Sequence, residues 1–338
     1  MSVVTLQAFV HAMRYEAEGI LSIELRPASE DVVFPEFDAG AHIDLHLSNG
    51  LVRNYSLLNA KTDRQRYVIG VLNDRASRGG SRYIHEQLRV GTSLLISPPR
   101  NNFRLNEEAP RSVLLAGGIG VTPMLSMLRT LASQNKPVDF IYCARSRQEA
   151  AFLEEIENYA NVAGVRLIRH FNDEQGGLPN LMQLLSGYTA DAHLYGCGPA
   201  SMLDAFEHAC ASLGYGNVHI ERFAAPSRTM EQGMPGIGAS AANGTEALQA
   251  GGYTVELRRT GKVLQVSPGM SLLDALLAAG IEHHYSCREG LCGACEIKVL
   301  DGEVDHRDSI LTRSERAANK SMMVCVSGCK QGPLVLDI

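Results

Sequence analysis

Apolar residues recur along this chain in distinct rhythms that change from one stretch to the next. Over residues 1–104 they alternate with polar residues in short runs, SIELRP, HIDLHLS, VRNYSLL and RYVIGVL, with Gly and Pro recurring between them. A period of two puts alternate side chains on opposite faces of a strand, so this stretch predicts an antiparallel β-barrel or sandwich. From about residue 105 the alternation gives way to solid apolar runs. SVLLAGGIGVTPMLSMLRTL reads as a strand, a glycine-rich turn and a helix, and VDFIYCAR, VRLIRHF and AHLYGCG follow with helical stretches between them. Strands alternating with helices predict an α/β domain over 105–226, its parallel sheet carrying nucleotide-binding loops at the carboxyl ends of the strands.

The segment PSRTMEQGMPGIGASAANGTEALQAGG has no apolar period and is rich in Gly, Ala, Ser and Pro. It reads as a linker over 227–250. Residues 251–338 form a third unit. YTVELRRTGKVLQVSPG predicts two strands and a turn, and SLLDALLAAGI has helical spacing, with Ser271 as N-cap and Asp274 three residues on. A cysteine-bearing loop follows, then EIKVLDGEVD as a strand and a turn. This α+β order is that of a ferredoxin (β-grasp) domain. No internal repeat is apparent.

Composition narrows the class. The chain has 338 residues, 45% of them apolar, enough for two or three packed domains. A net charge of −6 does not suggest a nucleic-acid partner. Eight cysteines without a signal-like start argue against a secreted disulfide framework. No run of about 18 apolar residues predicts a membrane span. The expected setting is a reducing cytoplasm.

The chemistry is densest near the C-terminus. CREGLCGAC places Cys287, Cys292 and Cys295 at C-x4-C-x2-C spacing, and Cys325 follows in MMVCVSG. This is the plant-type pattern for a [2Fe–2S] cluster, in which each iron takes two thiolates. Small residues at Gly290, Gly293 and Ala294 let the loop wrap a cluster and aim N–H groups at its sulfurs. The rival is zinc held by Cys292, Cys295, Cys325 and Cys329, which leaves Cys287 unused. Cys143, Cys197 and Cys210 have the simpler reading of small buried hydrophobes. His283 and His284 lack the paired Cys-x-His units of a Rieske centre and fit the turn before the loop.

Two further motifs are individually weak. Arg53-Asn54-Tyr55-Ser56-Leu57 ends a strand, and Gly79-Gly80-Ser81 opens a helix-like run. Tyr55 and Ser56 suit a flavin ring; Arg53, Gly80 and Ser81 suit its phosphate. The plain alternatives are the outer face of a strand and a tight turn. GGIGVTP joins a strand to a helix, and Tyr195-Gly196-Cys197-Gly198-Pro199 ends a later strand, so two glycine turns would bracket a dinucleotide. Cys197 is expected to show an open face to a planar ring, or else to fill a gap under the turn.

The ordered set RNYSL, GGS, GGIGVTPM, YGCGPASM, ERF and C-x4-C-x2-C…C resembles the phthalate dioxygenase reductase family over essentially the whole chain. The resemblance implies an FMN barrel at 1–104, an NAD domain at 105–226 and a C-terminal [2Fe–2S] ferredoxin domain. It implies that Arg53, Tyr55 and Ser56 hold the flavin, with Ser56 near N5, and that Gly80 and Ser81 bind its phosphate. Gly118, Gly120 and Thr122 would line the NADH site, Cys197 would lie by the nicotinamide, and Phe223 would cover the flavin ring. Cys287, Cys292, Cys295 and Cys325 would bind the irons.

Electron counting agrees with this order, because NADH gives two electrons, a cluster accepts one, and a flavin can do both. The implied function is a reductase feeding a terminal Rieske oxygenase. A different acceptor, such as a cytochrome or a small molecule, and a non-redox zinc module remain as alternatives. Plant-type clusters lie near −400 mV, so the 286–294 loop is expected to raise this one through backbone hydrogen bonds. NADH rather than NADPH follows from the resemblance. Arg145 and Arg147 are either partners for a 2′-phosphate or solvated loop charges. The long linker suggests a monomer whose ferredoxin domain docks over the flavin edge.

Overall fold

The computed structural model describes residues 4–29, 31–75, 77–223 and 252–338, so the linker read over 227–250 lies outside the described residues. The chain divides into two compact units, Ser2–Phe223 and Ala224–Ile338.

The first unit begins with six antiparallel strands: β1 (Leu6–Ala17), β2 (Ile20–Pro27), β3 (His42–His46), β4 (Val52–Ser56), β5 (Tyr67–Leu72) and β6 (Ser93–Ile96). Their order is β4-β3-β6-β1-β2-β5, and a bridge between Leu57 and Ile69 joins the two ends of the sheet. The inward positions, among them Val10, Ile23, Leu25, Ile43 and Ile69, form one buried cluster. Helix α1 (Gly80–Glu86) buries Ile84 in the same cluster. β1 is absent from the predicted strands for a physical reason. Bulges between Val10 and Ala12 and between Tyr15 and Ala17 shift its register, so its buried residues break the period of two.

Five parallel strands follow: β7 (Ser112–Gly117), β8 (Val138–Ala144), β9 (Val165–Phe171), β10 (His193–Cys197) and β11 (Val218–Glu221). All six residues of β7 and all seven of β8 are buried, which explains their solid apolar runs. Helix α2 (Val121–Ser133) packs on one face of the sheet. The short helices α3 (Leu153–Asn158), α4 (Asn172–Gln175) and α5 (Leu181–Leu184) precede α6 (Ala200–Leu213), which packs with α5 on the other face. The order is β11-β10-β7-β8-β9. The chain therefore moves outward from β7 through β9, then returns to the other side of β7. That reversal puts a topological switch point between β7 and β10, where open α/β sheets form their ligand crevice.

The second unit holds β12 (Tyr253–Leu257), β13 (Lys262–Val266), α7 (Leu272–Ala278), β14 (Glu296–Asp305), α8 (Arg313–Ala318), β15 (Ser321–Met323) and β16 (Gly328–Leu336). Its mixed sheet runs β13-β12-β16-β14-β15. The Ser271 hydroxyl accepts from the Asp274 N–H at 3.1 Å and starts α7, as the sequence predicts. Leu272, Leu273 and Leu276 of α7 pack on Val255, Leu257 and Leu336, each leucine contributing roughly 2 kcal/mol of burial. EIKVLDGEVD is one bulged strand rather than a strand and a turn. Gly302 has φ 92°, and a β-carbon there would stand 2.6 Å from the Pro333 carbonyl oxygen. Among the described residues no helix is long and apolar enough to cross a membrane.

Candidate functional site

The cysteine loop, between α7 and β14, turns on three residues with positive φ: Arg288 (56°), Gly290 (69°) and Gly293 (69°). Cys287, Cys292, Cys295 and Cys325 are all buried and all free of disulfides. They stand in two hydrogen-bonded pairs, Cys287 with Cys292 and Cys295 with Cys325. The hydrogen bond from Cys292, helped by the N–H groups of Leu291, Glu289 and Cys292, pulls the Cys287 thiol down to about 6. The same interaction pushes Cys292 up, and Cys295 pushes Cys325 up, while the Gly290 N–H opposes the Cys325 shift.

Two thiol pairs ringed by N–H donors would suit a [2Fe–2S] cluster, with one pair for each iron. Around them the Ser286 and Ser309 hydroxyls are buried with no hydrogen-bond partner, and a sulfide-bearing cluster would supply the acceptors that they lack. The residues therefore fit the cluster. Cys329, the extra member of the zinc alternative, instead donates to the Gly332 carbonyl at 2.9 Å. Among the described residues no three His, Cys, Asp or Glu side chains group around one metal ion.

In the first unit the switch point brings together the two glycine turns. A β-carbon at Gly120 would lie 2.3 Å from the Cys197 carbonyl oxygen, and one at Gly198 would lie 2.9 Å from the Gly117 Cα. Only glycine permits this approach. The three nucleotide-site candidates separate by environment. Gly118, at φ 52°, has open space where a side chain would stand. Gly120 is buried in the crossing. Thr122 is also buried, donates to the Ile119 carbonyl at 3.1 Å, and sets its methyl against Gly70 of the barrel. Cys197 is fully buried in the core that also holds Tyr195. The expected open face is not there, because an inward-facing position on a central strand is covered by α2.

Ser56, at the end of β4, is buried, and its hydroxyl lies 3.5 Å from Glu221 Oε2 at the end of β11. Glu221 pairs across the sheet with Cys197. Burial pushes the Glu221 carboxyl up to about 8, with the Ser56 hydrogen bond pulling the other way, and burial also pushes Cys197 up. Glu221 was missed as a candidate. The available signal was the alternation in NVHIERF, where Val218 and Ile220 face the core and His219 and Glu221 the opposite side.

Burial also raises the Tyr55 hydroxyl above its ordinary pKa. Arg53 lies against the turn into α1: a β-carbon at Gly80 would be 2.6 Å from its Cγ, and its guanidinium donates to Arg78 O at 3.0 Å. The N-cap Gly79 offers no side chain to the first N–H groups of α1. Ser77 Oγ accepts from the Arg82 N–H in the first turn only at 3.4 Å, and a cation beside a helix start capped this weakly fits a phosphate group. The Ser81 hydroxyl is already bonded to Ser77 at 2.9 Å. Phe223 is exposed at the end of the described segment.

Arg147 is held by Glu174 at 2.6 Å and stacks 4.7 Å from the Phe171 ring centroid. Arg145 faces Glu149 at 3.8 Å. Two cavities, of about 510 and 370 Å³, lie apart from all these candidates, one beside β9 and α5, the other around Glu24, Arg66 and Arg129.

Comparison with known proteins agrees with this geometry. Residues 255–330 match the 2Fe-2S iron-sulfur cluster binding domain family, and residues 114–208 match the oxidoreductase NAD-binding domain family. The chain is 43% identical to the phenoxybenzoate dioxygenase subunit beta of Ectopseudomonas oleovorans, covering 97% of this chain and 96% of that one. It is 44% identical to the tetrachlorobenzoquinone reductase of Sphingobium chlorophenolicum, over 99% and 98%. Among solved structures, an intact type IV self-sufficient cytochrome P450 monooxygenase superposes with a TM-score of 0.82 at 36% identity over 99% of this chain. This chain spans only 41% of that protein. Phthalate dioxygenase reductase, described as a modular structure for electron transfer from pyridine nucleotides to [2Fe–2S], superposes with a TM-score of 0.67 at 30% identity, over 99% and 98% of the two chains. With an antiparallel barrel sheet, a parallel nucleotide sheet and a ferredoxin unit in that order, and with this likeness along its whole length, the chain belongs to the phthalate dioxygenase reductase family.

Proposed function

We propose that this protein is the NADH-dependent reductase of an oxygenase system, passing electrons through FMN and a plant-type [2Fe–2S] cluster to a terminal oxygenase. The observation that carries the reading is the two-paired set of buried thiols, in a chain that matches a dioxygenase subunit over 97% of its length. When bound, NADH supplies two electrons together, FMN takes them and releases them singly, and the cluster carries one at a time.

The chain's residues supply placement. Cys287 and Cys292 hold one iron, and Cys295 and Cys325 the other. Arg53, Gly80 and Ser81 bind the flavin phosphate. Tyr55 and Ser56 hold the ring, with Ser56 at its N5 edge and Phe223 covering its face. Gly118 meets the dinucleotide directly. Gly120 and Thr122 act beneath it, by keeping the two turns and the barrel in contact. Cys197 sets the floor of the nicotinamide site. Glu221, protonated near neutral pH, stands beside Ser56 without adding a negative charge where electrons arrive. The domain limits that go with these roles are 1–104, 105–226 and 251–338.

A second reading has an observation of its own. The 44% identity to a tetrachlorobenzoquinone reductase favours a quinone as acceptor. Steady-state turnover with NADH separates the two. A purified terminal oxygenase component accepting electrons at a rate that saturates with its concentration supports the first. Quinone turnover that survives loss of the cluster, with no oxygenase reduction, supports the second.

A further inference from the structure

The segment Asp305–Leu311, DHRDSIL, touches both pieces of chain that bring cysteines to the cluster site. Asp308 is buried at 1% exposure. Its Oδ2 accepts from the N–H groups of Ile310 at 3.2 Å and Leu311 at 2.9 Å, which fixes the turn. Its Oδ1 accepts from the Ser327 hydroxyl at 3.4 Å, and Ser327 Oγ in turn accepts from the Arg307 N–H at 3.2 Å. Ser327 is two residues beyond Cys325. The carboxylate thus reaches the segment that carries the fourth ligand.

The same turn also reaches the three-cysteine loop. The Ser309 N–H donates to the Gly290 carbonyl at 3.0 Å. Gly290 is wedged between Asp308 and the neighbour of Cys325: a β-carbon on it would stand 3.0 Å from Asp308 Cα and 2.7 Å from Val326 Cγ2. The Gly290 N–H points at the Cys325 sulfur. Arg316 holds the turn from behind, donating to the Asp308 carbonyl at 2.6 Å and pairing with its carboxylate at 3.9 Å, with His306 Nδ1 at 3.7 Å. A buried carboxylate that is this fully bonded holds one geometry, because each lost partner leaves a costly unpaired group.

We propose that Asp308 is the positioning residue of the cluster site. It ties the Cys325 segment to the loop of Cys287, Cys292 and Cys295, and its charge holds the cluster's reduction potential down. The inference rests on the [2Fe–2S] reading above. An amide in place of the carboxylate can still accept from Ile310 and Leu311, so Asp308→Asn removes charge while keeping the turn. Asp308→Ala removes the bond to Ser327 and the two bonds that fix the turn against Gly290.

The test measures iron and sulfide content and an EPR-monitored redox titration on the full-length protein and each variant. Asp308→Asn is expected to keep its cluster while its one-electron equilibrium shifts tenfold toward the reduced form, about 59 mV upward. Asp308→Ala is expected to lose at least half of its iron and sulfide. If Asp308→Asn does not fold, Ser327→Ala, which cuts only the tie to the Cys325 segment, is expected to alter the reduced-cluster EPR line shape at normal flavin content. Wild-type content, potential and line shape in the variants that fold overturn the role of Asp308. A wild-type protein with no iron or sulfide overturns the cluster reading beneath it.

Discussion

The proposed cluster site and the proposed flavin–nicotinamide crevice are built in opposite ways. Three of the four cysteines proposed to hold the cluster lie within nine residues of one loop, whose turns are set by Arg288, Gly290 and Gly293. The crevice is assembled from strand ends far apart in sequence: Ser56 meets Glu221, 165 residues on, and Gly120 meets Cys197. A site on one loop depends on side chains that can be deleted singly. A site on strand ends depends on the sheet that brings them together. Substitutions should therefore abolish function outright in the first and grade it in the second.

The largest expected effect is at the cluster. Cys287→Ser removes one of four thiolates, and the visible and EPR signals of the cluster should vanish while flavin reduction by NADH persists. Cys329→Ser, whose thiol is turned to Gly332, should leave both signals unchanged. The reverse result would restore the zinc assignment.

Next comes the crossing of the glycine turns. Gly120→Ala places a methyl 2.3 Å from the Cys197 carbonyl oxygen. The turns must part, at a cost of about 1–3 kcal/mol. NADH affinity should fall about tenfold or more in single-turnover reduction, with the cluster signal intact.

A smaller effect is expected at Glu221. Its folded-state pKa near 8 lies above the ordinary 4.5. As pH rises, the unfolded chain releases this proton first, so native stability is full below about 4.5 and declines through about 8. The slope is at most about 1.4 kcal/mol per pH unit. Glu221→Gln should flatten that decline in denaturant midpoints measured from pH 5 to 8.5. An unchanged slope would show that this carboxyl is not held protonated.

The smallest effect concerns the nucleotide's far end. Arg147 sits past the end of β8, paired with Glu174 past the end of β9, so a 2′-phosphate would have to compete with that carboxylate for it. Glu174→Gln should release it and raise NADPH affinity severalfold, with NADH affinity nearly unchanged in equilibrium titrations.

The same contrast explains what was legible in the sequence. The 2Fe-2S domain was legible in the cysteine spacing, because one loop carries three of the four proposed ligands. The barrel and the parallel sheet could be read from the change of apolar rhythm at about residue 105. β1 and the full length of β14 could not, because bulges displace their alternation. β11 escaped notice because an edge strand of four residues gives too few positions for a period. With it went Glu221, whose closeness to Ser56 exists only once β11 lies beside β10. Cys197 shows the converse limit: flanking glycines suggested an open face, but the sheet position buries it. Asp308 lay hidden for the same reason as Glu221, since its partners Gly290 and Ser327 come from two other segments.

The central claim is that electrons from NADH reach the iron held by the paired cysteines. Anaerobic titration of the purified full-length protein with NADH, followed by absorbance and EPR, tests it most directly. The account predicts loss of flavin absorbance together with a rhombic reduced-cluster signal that grows as NADH is added. Flavin bleaching with no iron signal, in protein shown to contain iron and sulfide, would contradict it.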